Sequence, residues 1–260
     1  MTAVEELDWY ATPHWYDAIF DVDTAREADF LEGAVRRYGR SRGRRVLEPA
    51  CGSGRLVAEL ARRGWRVQGS DLSDAMLAYA RQRLAAAGLS ARLERADMAR
   101  VPARGRVDLA HCLVSTFKYL LTERAARSHL RSVAAALAPG GLYCLGLHVS
   151  DYAVRKRTRE RWVVERDGAR IVCNTQGWPA DPTTRLEKVR TRLSVEERGQ
   201  LRRTETVWRF RTYDPGELRA LIASVPALDH VATHTFHYDL DETVELDGDA
   251  FDVLLVLRRR

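Results

Sequence analysis

Residues 46–56, Val46-Leu47-Glu48-Pro49-Ala50-Cys51-Gly52-Ser53-Gly54-Arg55-Leu56, constrain this chain more than any other stretch. An apolar pair reads as the end of a buried strand and is followed by a turn of small residues. Leu56 to Ala61 then has helical character. Such a strand–loop–helix unit opens a doubly wound sheet, whose ligands sit beyond the carboxyl ends of the strands. Gly52 and Gly54 have no side chain where a ligand would approach the backbone, and Glu48 ends the strand beside them. The loop is not a P-loop, because no Gly-Lys-Ser/Thr follows the glycines. Nor is it a full dinucleotide fingerprint, since Ala50 stands in the first glycine's place and Leu56 follows where a third would be useful. Two glycines alone are often only a tight turn, so this loop gains its weight from the strands that come after it.

A second strand, Arg66 to Leu72, ends in a carboxylate. Asp71 lies about 20 residues beyond the loop, the spacing at which an acid reaches a ribose hydroxyl. Ser73 is a candidate N-cap for a helix running to about Ala87. A third strand, Ala91 to Glu94, is closed by Ala96-Asp97-Met98. Val107 to Val114 reads as a fourth strand. Glu123 to Leu137 reads as a helix stopped by Pro139-Gly140-Gly141. Leu142 to Val149 is a fifth strand, with His148, Asp151 and Tyr152 at its mouth.

The alternation of strand and helix then stops. Arg161 to Arg166 and Ala169 to Thr175 flank Asp167-Gly168, a strong hairpin turn. Val189 to Val195 and Thr206 to Thr212 alternate in polarity on either side of Glu196 to Gly199 and form a second hairpin. A helix from Pro215 to Val225 and two antiparallel strands, His230 to Tyr238 and Ala250 to Arg258, complete the chain. The expected organisation is an N-terminal aromatic segment and helix (1–42), a ligand-binding core (43–150), an inserted antiparallel sheet (151–213) and a return to the core (214–260).

Composition narrows the class. A chain of 260 residues can bury a full core. Its 42 basic and 36 acidic residues leave a formal charge of +6, spread evenly rather than along one stripe, which argues against nucleic acid as a partner. Cys51, Cys112, Cys144 and Cys173 lie far apart, with no Cys-x-x-Cys and no Cys/His cluster at metal spacing. No metal is expected, and the cysteines read as buried thiols of a reducing compartment. The N-terminus lacks a signal-peptide pattern, and no apolar run is long enough for a bilayer. A cytoplasmic protein with no membrane partner is expected.

The Glu-Pro-Ala-Cys-Gly-Ser-Gly loop, the Gly-Ser-Asp-Leu-Ser strand end and the Ala-Asp-Met turn together resemble the class I S-adenosylmethionine (SAM)-dependent methyltransferases, over residues 10–149. The resemblance implies an α/β fold: a Rossmann-like seven-stranded sheet with helices on both faces, and an antiparallel sheet inserted after the fifth strand. It also implies an EC 2.1.1-type enzyme with SAM as cofactor and S-adenosylhomocysteine as product. Glu48, Ala50, Cys51, Gly52 and Gly54 would form the cofactor loop, and Asp71 and Leu72 the ribose side. Asp97 would accept a hydrogen bond from the adenine amino group, and the Met98 amide would bond a ring nitrogen. Met76 would either face the adenine or pack in the core.

The aromatic run Trp9, Tyr10, Trp15, Tyr16 and Phe20 suits a lid over a cationic sulfonium as well as packing on the sheet. Read without gaps from Glu48, this region is similar to the glycine and sugar N-methyltransferase branch. Arg26 then falls where that branch holds the methionyl carboxylate, the alternative being a solvated helix face. Tyr16 falls where an aromatic ring lies beside the cofactor. Cys112-Leu113-Val114-Ser115-Thr116-Phe117-Lys118-Tyr119-Leu120 resembles the branch's Cys-Leu-Gly-Asn-Ser-Phe-x-His-Leu pattern. Leu113 would offer its carbonyl to the SAM ammonium. Val114 and Ser115 depart from Gly-Asn, and Tyr119 replaces the histidine. Tyr119 and Tyr16 are the candidate catalytic residues.

Methyl transfer from a sulfonium is an in-line displacement and needs positioning above all. A base matters only when the acceptor is protonated. The inserted sheet and the aromatic N-terminus favour a small-molecule acceptor, methylated on N or O. An RNA or protein methyltransferase and a non-catalytic SAM-binding protein are the alternatives. The oligomeric state stays open, a homodimer included.

Overall fold

The computed structural model describes residues 4–247 and 250–260. In chain order it contains β1 (Val4–Glu6), α1 (Pro13–Phe20), α2 (Thr24–Tyr38), β2 (Arg45–Pro49), α3 (Arg55–Arg62), β3 (Arg66–Asp71), α4 (Asp74–Ala86), β4 (Arg92–Arg95) and β5 (Val107–Cys112). Then come α5 (Glu123–Ala136), β6 (Leu137–His148), β7 (Thr158–Arg166), β8 (Ala169–Gly177), β9 (Leu186–Glu197), β10 (Gln200–Arg211), α6 (Pro215–Ala223), β11 (Leu228–Thr235) and β12 (Asp252–Arg259). Three short 3-10 turns, Trp9–Ala11, Met98–Arg100 and Thr116–Tyr119, link them.

The core is a seven-stranded sheet in the order β4-β3-β2-β5-β6-β12-β11. Strands β2 to β6 are parallel neighbours, and β12 runs antiparallel to both β6 and β11. This is the expected Rossmann-like sheet with a reversed strand near its end. Helices cover both faces, so the central strands carry near-continuous apolar runs. Along β12, Val253, Leu255 and Leu257 enter the cluster with Leu130, Val133, Leu221 and Tyr143. Leu254 and Val256 enter the opposite cluster with Phe30, Leu31, Leu56 and Leu60. All five are fully buried, each worth about 1.5–3 kcal/mol.

Local signals set the helix starts. The Ser73 hydroxyl accepts from the Met76 amide, and Thr122 likewise caps α5 at Ala125. Asp214 and Glu217 form a reciprocal capping box on α6. Boundaries differ from the sequence reading in the second hairpin, whose strands run Leu186–Glu197 and Gln200–Arg211, and at the end of α5. The Pro139-Gly140-Gly141 signal does not separate α5 from the strand, because β6 already begins at Leu137. Pairing with β5 jumps from Val107–Leu137 to Leu109–Leu142, so the strand absorbs the three residues as an irregularity.

The second sheet has the order β1-β10-β9-β8-β7. Strands β7 to β10 form antiparallel hairpins whose two-residue turns, Asp167-Gly168 and Arg198-Gly199, hold positive φ at both positions, the mark of type I′ turns. The sequence reading did not contain β1, a three-residue strand parallel to β10. Trp9, Trp15 and Ala18 pack on this sheet against Ile171, Leu193 and Val195. The N-terminal aromatic segment is therefore seated on the inserted sheet. Among the described residues, no helix is long and apolar enough to cross a membrane.

Candidate active site

The glycine loop joins β2 to α3 at the carboxyl edge of the core sheet. Ala50, Gly52 and Gly54 all hold positive φ, which turns the chain sharply into the helix. Gly52 is bare where it matters: a β-carbon there would stand 3.9 Å from the Tyr16 ring. Gly54 serves packing, since a β-carbon there would lie 2.6 Å from the Ala80 side chain on α4. The loop is latched from β3. Asp71 accepts from the Gly52 amide at 2.9 Å and from the Ser73 amide at 2.8 Å. It is latched from α1 as well. Ser53 donates to Asp17 of α1 at 2.7 Å, and Asp17, fully buried, also pairs with Arg83 of α4.

These elements line one pocket. Its floor is Glu48 to Ser53. Cys112, Leu113, Val114 and Thr116 form one wall, Arg55 and Leu56 another, and Tyr16 and Phe20 the roof. Glu48 is the titratable centre of the pocket. Its Oε2 is buried without a hydrogen-bond partner among the described residues. Burial pushes its carboxyl up to about 8, with Arg55 opposing and Glu27 and Asp71 adding to the rise. His111 lies behind it, Nδ1 3.9 Å from Glu48 Oε1. Burial holds this imidazole down to about 3, so it is neutral. Arg55 is bonded to both oxygens of buried Glu27, which also accepts from the Tyr238 hydroxyl at 3.1 Å.

Tyr16 is the hinge between this pocket and an aromatic cluster. Its ring centre lies 5.4 Å from Tyr10 and 4.6 Å from Phe20. Tyr10 shares a 2.6 Å hydrogen bond with Tyr119, hydroxyl to hydroxyl. Trp208 and Phe210 of β10 close over Tyr119 at 5.7 and 4.7 Å. Burial pushes Tyr16 up to about 12 and Tyr10 and Tyr119 well above the usual tyrosine range. At neutral pH all three are hydroxyls rather than phenolates. They are suited to hydrogen bonding and orientation, and poorly suited to accepting a proton.

Tyr16, Glu48, Ala50, Cys51, Gly52 and Leu113 thus line one pocket. Asp71, Leu72, Asp97 and Met98 lie at the neighbouring strand ends, where the Ala96 amide bonds the Asp71 carbonyl at 3.1 Å. Asp97 is exposed and accepts from the Ala99 amide. The Met98 carbonyl is bonded by His129 Nδ1 at 2.7 Å, and the Met98 side chain packs in the core. Two residues are not brought to the site. Met76 is fully buried, so its packing role is the one realised. Arg26 faces solvent on α2, while its neighbour Glu27 turns inward. The arginine in the pocket wall is Arg55, which sequence reasoning did not single out. Its only signal was its place as the first helical residue after Gly54.

The departure from Gly-Asn at positions 114 and 115 also has a structural consequence. Both residues hold positive φ, 53° and 60°. A left-handed valine costs about 1–2 kcal/mol. The turn is held by Ser115, whose amide donates to the Gly146 carbonyl at 3.0 Å and whose hydroxyl accepts from the His148 amide at 3.0 Å.

Comparison with known proteins agrees with this geometry. Residues 46–141 match the family described as methyltransferase domain. A protein of Geobacillus sp. (strain WCH70), named "Putative methyltransferase", is 28% identical over 137 residues, 52% of this chain and 55% of its own length. The ribosomal RNA small subunit methyltransferase C of Alcanivorax borkumensis is 34% identical over 109 residues, 42% of this chain and 33% of its own. The chain thus spans about half or less of these relatives' lengths. Similarity of fold extends further. Streptomyces venezuelae DesVI superposes with a TM-score of 0.79 at 20% identity, covering 98% of this chain and 100% of that one. An S-adenosylmethionine-dependent methyltransferase of Clostridium acetobutylicum gives 0.78 at 20% identity, covering 95% and 96%. The sugar N-methyltransferase KedS8 of Streptoalloteichus sp. gives 0.76 at 20%, covering 100% and 95%. Residues 46–141 therefore resemble a methyltransferase domain, and the chain has the Rossmann-like α/β fold of these solved methyltransferases.

Proposed function

We propose that this protein transfers a methyl group from SAM to a nitrogen or oxygen of a small-molecule acceptor. The observation that carries this reading is the unpartnered buried oxygen of Glu48, set in a pocket roofed by Tyr16 and Phe20. Such a site favours an organic cation with an ammonium group. The carboxylate would accept from the ammonium, and the ring faces suit a sulfonium. The pocket residues therefore fit SAM. When bound, SAM supplies an electrophilic methyl group whose donor sulfur leaves as a neutral thioether.

The chain's own contribution is positional. Gly52 lets the backbone approach the ligand, and Asp71, already holding the Gly52 amide, keeps spare lone pairs for a ribose hydroxyl. The Leu113 carbonyl, which accepts from the Thr116 amide at 3.3 Å, has a second lone pair for the ammonium. Tyr16 and Phe20 exclude water from the reacting atoms. Tyr10 and Tyr119, hydrogen-bonded to each other beneath Trp208 and Phe210, provide hydroxyls to orient an acceptor heteroatom. KedS8 is named a sugar N-methyltransferase, and a sugar-sized amine would suit an aromatic mouth of this kind. Sugar amines stack their C–H faces on rings and use hydroxyl partners.

Two measurements test the reading. Calorimetry should show binding of SAM and S-adenosylhomocysteine, and none of NAD. A screen of amino sugars and other small amines with radiolabelled SAM should then yield a methylated product whose labelled atom is located by NMR. NAD binding without SAM binding would overturn the assignment.

A further inference from the structure

The turn after β4 is held more firmly than its place at the sheet edge requires. It contains Asp97 and Met98, at the strand ends where the resemblance places the adenine of SAM. β4 is a four-residue edge strand, and the Ala96 amide ties the turn to the Asp71 carbonyl. Asp97 and Arg100 are exposed, so water could satisfy the backbone groups of such a turn. Three side chains of α5 take them up instead. The Ser128 hydroxyl donates to the Ala99 carbonyl at 2.7 Å. His129 Nδ1 donates to the Met98 carbonyl at 2.7 Å. The Ser132 hydroxyl accepts from the Val101 amide at 3.1 Å and donates to the His129 carbonyl at 2.9 Å. Within the turn, Asp97 Oδ1 accepts from the Ala99 amide at 2.8 Å, which orients the carboxylate and leaves its second oxygen for a ligand.

His129 differs from the two serines in being fully buried. Its Nε2 lies 2.6 Å from the hydroxyl of Tyr143 on β6, which is buried as well. A backbone carbonyl can only accept, so Nδ1 carries the hydrogen, and Nε2 is then the acceptor for Tyr143. Burial holds the imidazole down to about 4, so this neutral tautomer persists at physiological pH. The Phe117 ring, 5.3 Å from that of His129, and Leu130 and Val133 complete an apolar surround. A polar pair in such a place costs stability unless every partner is present. Here every partner is present, yet an aliphatic pair would fill the same space without that requirement. What the polar pair adds is direction. It runs from the middle of the core sheet, where Tyr143 pairs with Ala110 of β5, to one carbonyl of the turn.

We propose that His129 is a positioning residue for the cofactor: by holding the Met98 carbonyl it sets the turn so that Asp97 and the Met98 amide read the edge of the adenine. The proposal rests on the reading of the pocket as a SAM site.

The test compares S-adenosylhomocysteine with S-inosylhomocysteine by calorimetry on the full chain. The second ligand carries an oxygen in place of the adenine amino group and a hydrogen on the neighbouring ring nitrogen. It inverts both contacts while its ribose and amino-acid tail are unchanged. The wild type should prefer the adenine ligand by on the order of a hundredfold, because the other leaves polar groups of the site unpaired. His129→Gln puts an amide oxygen where Nε2 stood, able to accept from Tyr143, and leaves the Met98 carbonyl without its donor. His129→Asn puts an amide NH2 where Nδ1 stood, keeps that donor, and leaves Tyr143 without its acceptor. Each variant leaves one buried group unpaired, so the two should lower the unfolding temperature alike. Only His129→Gln should weaken S-adenosylhomocysteine binding, by on the order of tenfold, and narrow the preference for adenine. His129→Asn should keep the wild-type preference. Equal effects of the two variants on that preference, or none, mean a purely structural role and overturn the proposal. So does a wild type that binds both ligands alike. A wild type that binds neither overturns the SAM reading and the proposal with it, a result seen before any variant is made. If circular dichroism shows that neither variant folds, Ser128→Ala decides: a narrowed preference bears out the grip of α5 on the turn, and an unchanged one overturns it.

Discussion

Replacing Glu48 with glutamine should stabilise the ligand-free protein while weakening its hold on SAM, and the first effect should depend on pH. Burial raises the Glu48 carboxyl from 4.5 to about 8. Between these values the folded state holds a proton that the unfolded chain has released, so stability falls as pH rises through that window and levels off above it. At 1.36 kcal/mol per unit, the full span corresponds to about 5 kcal/mol, and to about 3 kcal/mol at pH 7. Both are upper bounds for a group that can relax toward the pocket opening. Glu48→Gln does not titrate. Without ligand its unfolding temperature should match the wild type near pH 4.5–5 and exceed it increasingly toward pH 8.5. A gain of about 3 kcal/mol would raise the midpoint by about 6–12 °C for a chain of this size. The same substitution removes the carboxylate proposed for the ligand's ammonium, a charge-assisted bond worth about 1.5–3 kcal/mol, so affinity should fall about tenfold to a hundredfold. Calorimetric scans from pH 5 to 8.5, with titration of S-adenosylhomocysteine at pH 8, check both halves. A variant whose stability parallels the wild type at every pH would refute this account, because it would mean that Glu48 meets solvent or a partner and bears no burial penalty.

Three further predictions concern residues in and around the pocket. Asp71→Ala removes the acceptor of the Gly52 and Ser73 amides and should weaken SAM binding by ~1.5–3 kcal/mol in a protein that circular dichroism shows to be folded; unchanged affinity would sink the latch. Arg55→Ala should destabilise the fold by about 3–5 kcal/mol, because it leaves Glu27 as an uncompensated buried charge. Arg26→Ala, on the exposed face of the same helix as Glu27, should stay within about 0.5 kcal/mol in stability and leave SAM affinity unchanged. A selective loss of SAM affinity in Arg26→Ala, with 5′-methylthioadenosine binding preserved, would return the carboxylate role to Arg26.

The core was legible in the sequence because its signals are local. Leu47 before Glu48-Pro49-Ala50-Cys51-Gly52, the carboxylate of Asp71 after its strand, the Ser73, Thr122 and Asp214 caps and the Asp167-Gly168 turn each specify backbone conformation within a few residues. Periodicity supplied the rest, since β12 reads as an unbroken apolar run only because helices cover both sheet faces. Arg26 marks the limit of such local signals. A gapless offset from Glu48 places an arginine on α2, but the helix's rotation about its own axis decides whether Arg26 or Glu27 turns inward. That rotation is set by Phe30, Leu31 and Ala34 packing on the sheet. The same rotation places Glu27 opposite Arg55, the first residue of α3. The three-residue β1 has no periodicity of its own and exists only by pairing with β10, about 200 residues away. The N-terminal aromatic cluster is likewise tertiary: Tyr10 and Tyr119 meet at 2.6 Å across 109 residues. Short-range steric and hydrogen-bonding preferences are encoded residue by residue and can be read there. Which face a helix buries, and which distant hydroxyls meet, depend on the summed packing of many side chains, which exists only once the chain has folded.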